Sequence, residues 1–211
     1  MPKLVDRDAR RRDVVDALFR IVVRDGLQRA SLRAVADEAA LNIGSVRHYF
    51  ASQQELMRFA MESMLERVSA RLMRRVDAIG GLAGHPQAAQ YRLAADLLGE
   101  LLPLDDLRRA EVTVFLDFTA AARTEPAFAD LSRKAATGTR ALIHRVLARL
   151  ADDGSLGPAR DVPAETERLA ALIDGLGLTA VLHPTVVTPT VCTDTLRAHL
   201  AELAAAAPAA A

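Results

Sequence analysis

Cysteine occurs once in this chain of 211 residues, at Cys192. A lone thiol excludes an internal disulfide and any multi-cysteine zinc site, and it fits a reducing compartment, so a cytoplasmic protein is expected. Lysine is nearly absent, at Lys3 and Lys134 only, and arginine carries almost all of the positive charge. No apolar run approaches the roughly 20 residues that a membrane span requires, so no membrane partner is expected. The start, Met1-Pro2-Lys3, runs into charged residues rather than an apolar leader. Strand signals are scarce: the one β-branched cluster, Thr185-Val186-Val187-Thr188, lies between Pro184 and Pro189 and reads as a loop. There is no G-x-S-x-G, no Gly-rich phosphate loop after a strand, and no histidine pair at metal-ligand spacing. Asp105-Asp106 and Asp152-Asp153 stand at helix boundaries and read as caps. An enzyme is therefore not expected, nor a metal or cofactor. Net charge is also absent, at zero overall. The charges are nevertheless separated along the chain. Residues 1–75 hold 15 Lys and Arg against 10 Asp and Glu, whereas residues 76–211 hold 12 against 17. That split points to an anionic partner for the N-terminal part.

What is present is helical periodicity almost throughout, which predicts an all-α fold of about nine helices. The first runs from about Asp8 to Arg24, with Val14, Val15, Leu18, Phe19 and Val22 on one face and Gly26 as a left-handed C-cap. Ser31 caps a second helix whose inner face is Leu32, Val35, Ala36 and Ala39. Asn42 caps a third. Ser52 and Glu55 form a capping box that opens a long fourth helix to about Ile79, striped by Met57, Met61 and Met64. Gly80-Gly81 breaks the pattern. Helices then restart near Pro86, Asp105, Pro126, Ala164 and Pro189, and the Ala-rich end with Pro208 reads as frayed.

The stretch 31–50, SLRAVADEAALNIGSVRHYF, carries the most information. Placed at helical spacing, Val46, Tyr49 and Phe50 fall on one side of the third helix and Ile43, Gly44, Arg47 and His48 on the other. The first set is candidate core; the second projects outward. A helix held by two others, with a small residue at its tip and an arginine beside it, suits the DNA major groove. Gly44 admits close approach, and Arg47 can donate two hydrogen bonds to guanine. Ser45, His48 and the Tyr49 hydroxyl suit phosphate oxygens, as do the first amides of the helix beyond Asn42. Arg33 on the second helix reaches the same groove or its rim. Lys3, Arg7, Arg10, Arg11 and Arg12 form a basic arm expected to add sequence-independent attraction. The bland alternative is a helical hairpin with a solvated polar edge.

The same residues resemble the helix-turn-helix of TetR/AcrR-type transcriptional regulators. The match lies at Arg33, Val35, Ala36, Ala39, Gly44, Val46, Tyr49, Phe50, Ser52 and Leu56, within a likeness that spans about residues 8–58. The resemblance implies a three-helix DNA-binding domain over 1–52 and a helical effector-binding and dimerisation domain over 53–211. It implies a double-stranded operator as partner and a small-molecule effector. Three departures stand out. Ala40 replaces the turn glycine, so the turn is expected to close without glycine's left-handed conformation. Arg47 replaces a frequent tyrosine, which implies an altered operator. Gln53 replaces a phosphate-binding lysine, which implies one charge contact fewer.

Residues 114–131, VFLDFTAAARTEPAFADL, are similar to the C-terminal domain of choline-response (BetI-like) members. By that resemblance the last two helices pair with those of a second copy. Leu169, Leu172, Ile173 and Leu176 form one apolar face and Leu196, Leu200 and Leu203 another, which fits a homodimer on a palindromic operator. Glu111 stands on an apolar stripe with Leu107, Val114, Phe115 and Phe118, and a carboxylate there needs a partner. One reading is a salt bridge to a core arginine such as Arg108 or Arg145. The other is an effector pocket of Glu111, Phe115, Phe118 and His144. The main competing function from the residues alone is a helical dimeric adaptor that binds protein instead of DNA.

Overall fold

The computed structural model describes residues 7–80, 82, 84–158 and 160–204. Lys3, the side chain of Arg7, Gly81 and the Ala-rich end with Pro208 lie outside the described residues or side chains. Among the described residues the fold is all-α: α1 (Arg7–Asp25), α2 (Leu32–Glu38), α3 (Ile43–Tyr49), α4 (Gln53–Ile79), α5 (Gln87–Leu98), α6 (Asp106–Ala122), α7 (Ala129–Asp152), α8 (Val162–Leu182) and α9 (Pro189–Ala204). Short 3-10 turns at Leu27–Arg29, Gly99–Leu101 and Pro126–Phe128 join α1 to α2, extend α5 and precede α7.

The helix starts are set by side-chain caps. Ser31 Oγ accepts from Ala34 N at 3.2 Å, Asn42 Oδ1 from Ser45 N at 2.7 Å, and Asp105 Oδ1 from Arg108 N at 2.8 Å. Each such acceptor is worth about 1 kcal/mol. At α4, Ser52 Oγ accepts from Glu55 N at 3.1 Å, while Glu55 reaches back to Ala51 N at 2.8 Å, one residue before the cap of a standard capping box.

The turn between α2 and α3 corrects an expectation. Ala40 takes the left-handed conformation itself, with φ 53°, and is the only described residue besides glycine with positive φ. Ala40 N donates to Asp37 O at 3.2 Å and Leu41 N to Ala36 O at 2.9 Å, the two bonds of a Schellman motif. The chain therefore keeps the turn's geometry and bears a cost of about 1–2 kcal/mol for its Cβ. Gly26 also differs from expectation. Its φ of 82° comes with ψ of 161°, the extended region open essentially to glycine, and not the left-handed helical one.

The chain forms two compact units, residues 1–66 with 113–133, and residues 67–112 with 134–211. This is not the division expected at 52/53, because residues 113–133 fold with the first unit. The physical ties are specific. Asp117 accepts a hydrogen bond from Leu27 N at 3.0 Å, and Arg58 forms a two-pronged bond with Asp130 at 2.8 and 2.7 Å while donating to Ala127 O at 2.8 Å. In this unit α1 packs on α2 and α2 on α3. Val14, Val15, Leu18, Val35, Val46 and Phe50 are fully buried, each apolar side chain contributing about 1.5–3 kcal/mol. Phe118 stands edge-on to Phe128, centroids 5.4 Å apart.

In the second unit α5 and α8 pack against α9. Its core includes Leu98, Leu102, Ile143 and Leu147, and also Leu169, Ile173, Leu196, Leu200 and Leu203, so the apolar faces expected to meet a second copy are largely spent within the chain. Pro163 sits in the first turn of α8, where a missing amide costs nothing, so the helix begins earlier than expected, with Asp161 as its cap.

Candidate nucleic-acid interface

α3 presents about two turns of helix with two chemically distinct sides. Val46 and Phe50 are fully buried and hold it. Opposite them, Asn42, Ile43, Gly44, Arg47 and His48 are exposed. Ser45, Tyr49 and Gln53 are half-buried, so the expectation of Tyr49 as core is met only in part. Its ring meets that of His48 edge-on at 5.3 Å. Arg47, and Arg33 on α2, make no hydrogen bond or ion pair among the described residues. Two guanidiniums are thus available to a ligand from adjacent helices. A Cβ at Gly44 would stand 3.2 Å from Asn42 Oδ1, the atom that caps the helix, a tight contact that glycine avoids.

α2, which carries Arg33, is clamped to α1. Glu38 accepts from Arg20 Nε at 2.8 Å and from Arg24 at 3.0 Å, and these guanidiniums hold its carboxyl below the usual range. The basic arm is not what the sequence suggested. Arg11 lies over the Phe59 ring at 3.9 Å and the Phe50 ring at 5.0 Å, a cation–π stack that fixes it against α4 and the end of α3. Arg10 pairs with Asp13 at 3.5 Å. Arg11 thus braces the end of α3 against α4.

The candidate effector residues are spread between the units. Glu111 and His144 belong to the second, Phe115 and Phe118 to the first. Glu111 is held by Arg71 through contacts of 3.0 and 2.6 Å. The partner is thus an arginine on α4, neither Arg108 nor Arg145. Arg71 also donates to Glu100 at 2.7 Å, and Arg75 reaches the same carboxylate at 3.0 Å. Arg108 stands 3.6 Å from it. Glu100 is only 6% exposed. This network satisfies the buried Glu100 and the half-buried Glu111, and the hydrogen bonds that Arg71 donates to Glu111 raise the Arg71 pKa. Phe118 is buried, Phe115 half-buried, and His144 exposed near Thr166. Arg71 and Glu100 are not marked by any pattern in the sequence; the local sign is only the cluster Arg71, Arg74, Arg75 near the end of α4.

A free arginine edge on a short helix, held by two flanking helices and followed by a long one, defines a helix-turn-helix DNA-binding regulator. Residues 91–205 match the family model described as the C-terminal part of BetI-type transcriptional repressors. Over 184 residues the chain is 34% identical to the HTH-type transcriptional regulator PksA of Bacillus subtilis (strain 168), covering 87% of this chain and 84% of PksA. It is 27% identical over 188 residues to the regulator BetI of Escherichia coli (strain K12), covering 86% and 87%. A solved transcriptional regulator from Rhodococcus sp. Rha1 superimposes with a TM-score of 0.76 at 28% identity, covering 92% of this chain and 95% of that one. The chain belongs to the TetR family of transcriptional regulators, and these relatives are not enzymes. Among the described residues no helix is long and apolar enough to cross a membrane.

Proposed function

We propose that the chain is an effector-responsive repressor that occupies a palindromic operator as a homodimer in the cytoplasm. One observation carries this reading: the outward edge of α3, where Gly44, Arg47 and His48 are exposed and Arg47 is unpartnered while Val46 and Phe50 hold the helix. In this reading Arg47 and Arg33 contact base edges, with Ile43 and Gly44 against the groove floor. Asn42, Ser45, His48, Tyr49 and Gln53 contact the phosphate backbone. Exposed apolar side chains on the last two helices support dimerisation: Leu178 at 45%, Leu182 at 60% and Val191 at 39%. A two-fold dimer places two α3 helices on successive major grooves of one duplex face.

Effector binding in the helical domain would favour a spacing of the two reader helices that no longer fits DNA, limited by the difference in effector affinity between the two states. In the second unit Glu111 remains a candidate contact, and it can meet an effector only by exchanging Arg71 for it. The test is a gel-shift titration with the DNA upstream of the protein's own gene, alongside selection from a random duplex library. The reading expects a selected two-fold sequence, bound with steep salt dependence. No binding to any duplex at low salt would overturn it.

A further inference from the structure

The turn that leads into the helix pair is capped by a residue 90 positions away. Gly26 precedes the 3-10 turn Leu27–Arg29, and its φ of 82° and ψ of 161° exclude other residues. A cap side chain ordinarily accepts from the second or third amide of a helical turn, so the first amide, that of Leu27, needs a partner from elsewhere. It donates to Asp117 Oδ2 of α6 at 3.0 Å. Leu27 is 6% exposed, so water is a poor substitute partner for that amide. A Cβ on Gly26 would stand 4.0 Å from the same oxygen, which puts the carboxylate directly over the turn. Two residues past the turn, Ser31 caps α2, which carries Arg33 and packs on α3.

We propose that Asp117 is a positioning residue for DNA recognition: it supplies from α6 the acceptor for the first amide of the turn after Gly26, fixing the entry into α2 and with it the placement of Arg33 and Arg47. This rests on the DNA-reading function proposed above. It also gives residues 113–133 a definite task within the first unit.

The test compares Asp117→Asn with Asp117→Leu. Both remove one negative charge, so long-range attraction to DNA changes equally. The two side chains are of similar size. Only asparagine keeps an acceptor oxygen. The duplex selected by the wild-type chain is expected to bind Asp117→Leu about tenfold more weakly than Asp117→Asn, the equivalent of one hydrogen bond. Affinity for random duplex at low salt, and the salt slope, should be the same for both, which a general loss of structure would not give. Hydrogen exchange at the Leu27 amide should be slow in wild type and in Asp117→Asn, and fast in Asp117→Leu. If leucine lowers the helical circular dichroism, Asp117→Ala takes its place in the comparison. Equal affinities of the two variants for the selected duplex, or unchanged Leu27 exchange without the acceptor, would overturn the proposal while leaving the DNA reading intact. A wild-type chain that binds no duplex would overturn both.

Discussion

At the scale of single residues, two side chains carry most of the account. Ala40 holds a left-handed turn with a Cβ in the way, and the residue is exposed. Ala40→Gly should therefore raise stability by about 0.5–1 kcal/mol, the strain relieved less the entropy that glycine loses. Urea unfolding measures it; no gain would mean the turn is unstrained. Arg11 stacks on two rings instead of reaching for phosphate. Arg11→Ala should lower the melting temperature and leave the salt slope of DNA binding unchanged, whereas a phosphate contact would reduce that slope by about 0.9. The caps at Ser31, Asn42 and Asp105 were legible in the sequence because a cap and its amide are three residues apart. Arg11's place was not legible, because the rings that hold it lie on α4 and at the end of α3. Ala40's conformation was misread for a related reason: the Schellman bonds of the turn outweigh the local preference of alanine.

Individual elements behave less locally. α6 reads as one amphipathic helix, yet residues 113–122 fold with the first unit and 106–112 with the second. No pattern within the helix announces that, since Asp117 meets Leu27, and Arg58 meets Asp130, across 90 and 72 residues. The Arg58 pair also sets a pH dependence. Hydrogen bonds from Arg58, ahead of other causes, lower the Asp130 carboxyl from 3.8 to about 2. A depressed carboxylate contributes stability that is present above its unfolded pKa and lost as pH falls through the folded one. The stability difference between wild type and Arg58→Met should stay constant above pH 5 and shrink as pH falls from about 4 to about 2. A difference that grows on acidification would contradict the pairing. In the second unit, Arg71→Met leaves Glu111 without its partner, while Glu100 keeps Arg75 at 3.0 Å. A loss of about 3 kcal/mol in urea unfolding is expected, because breaking the pair from one side strands the Glu111 charge. The need for a partner at Glu111 was legible; its identity as Arg71, 40 residues away, was not.

For the whole molecule, the sequence disclosed the helix order, the exposed edge of α3 and the charge asymmetry, since all three are periodic or compositional. It did not disclose how the chain divides into units, which tertiary hydrogen bonds decide. The dimer reading makes its own prediction. Leu178 and Leu182 lie four residues apart on one exposed face of α8. Leu182→Glu should give a monomer in sedimentation and weaken operator binding, while leaving the first unit folded. The central claim, that α3 reads base edges through Arg47, is tested most directly by fluorescence anisotropy. The selected duplex is titrated with wild type and Arg47→Ala across a salt series, against a random duplex. The account predicts that Arg47→Ala loses about 1–3 kcal/mol on the selected duplex, and that the gap between selected and random affinities narrows by the same amount. Equal affinity of wild type for selected and random duplex, or no effect of Arg47→Ala on that gap, would contradict it.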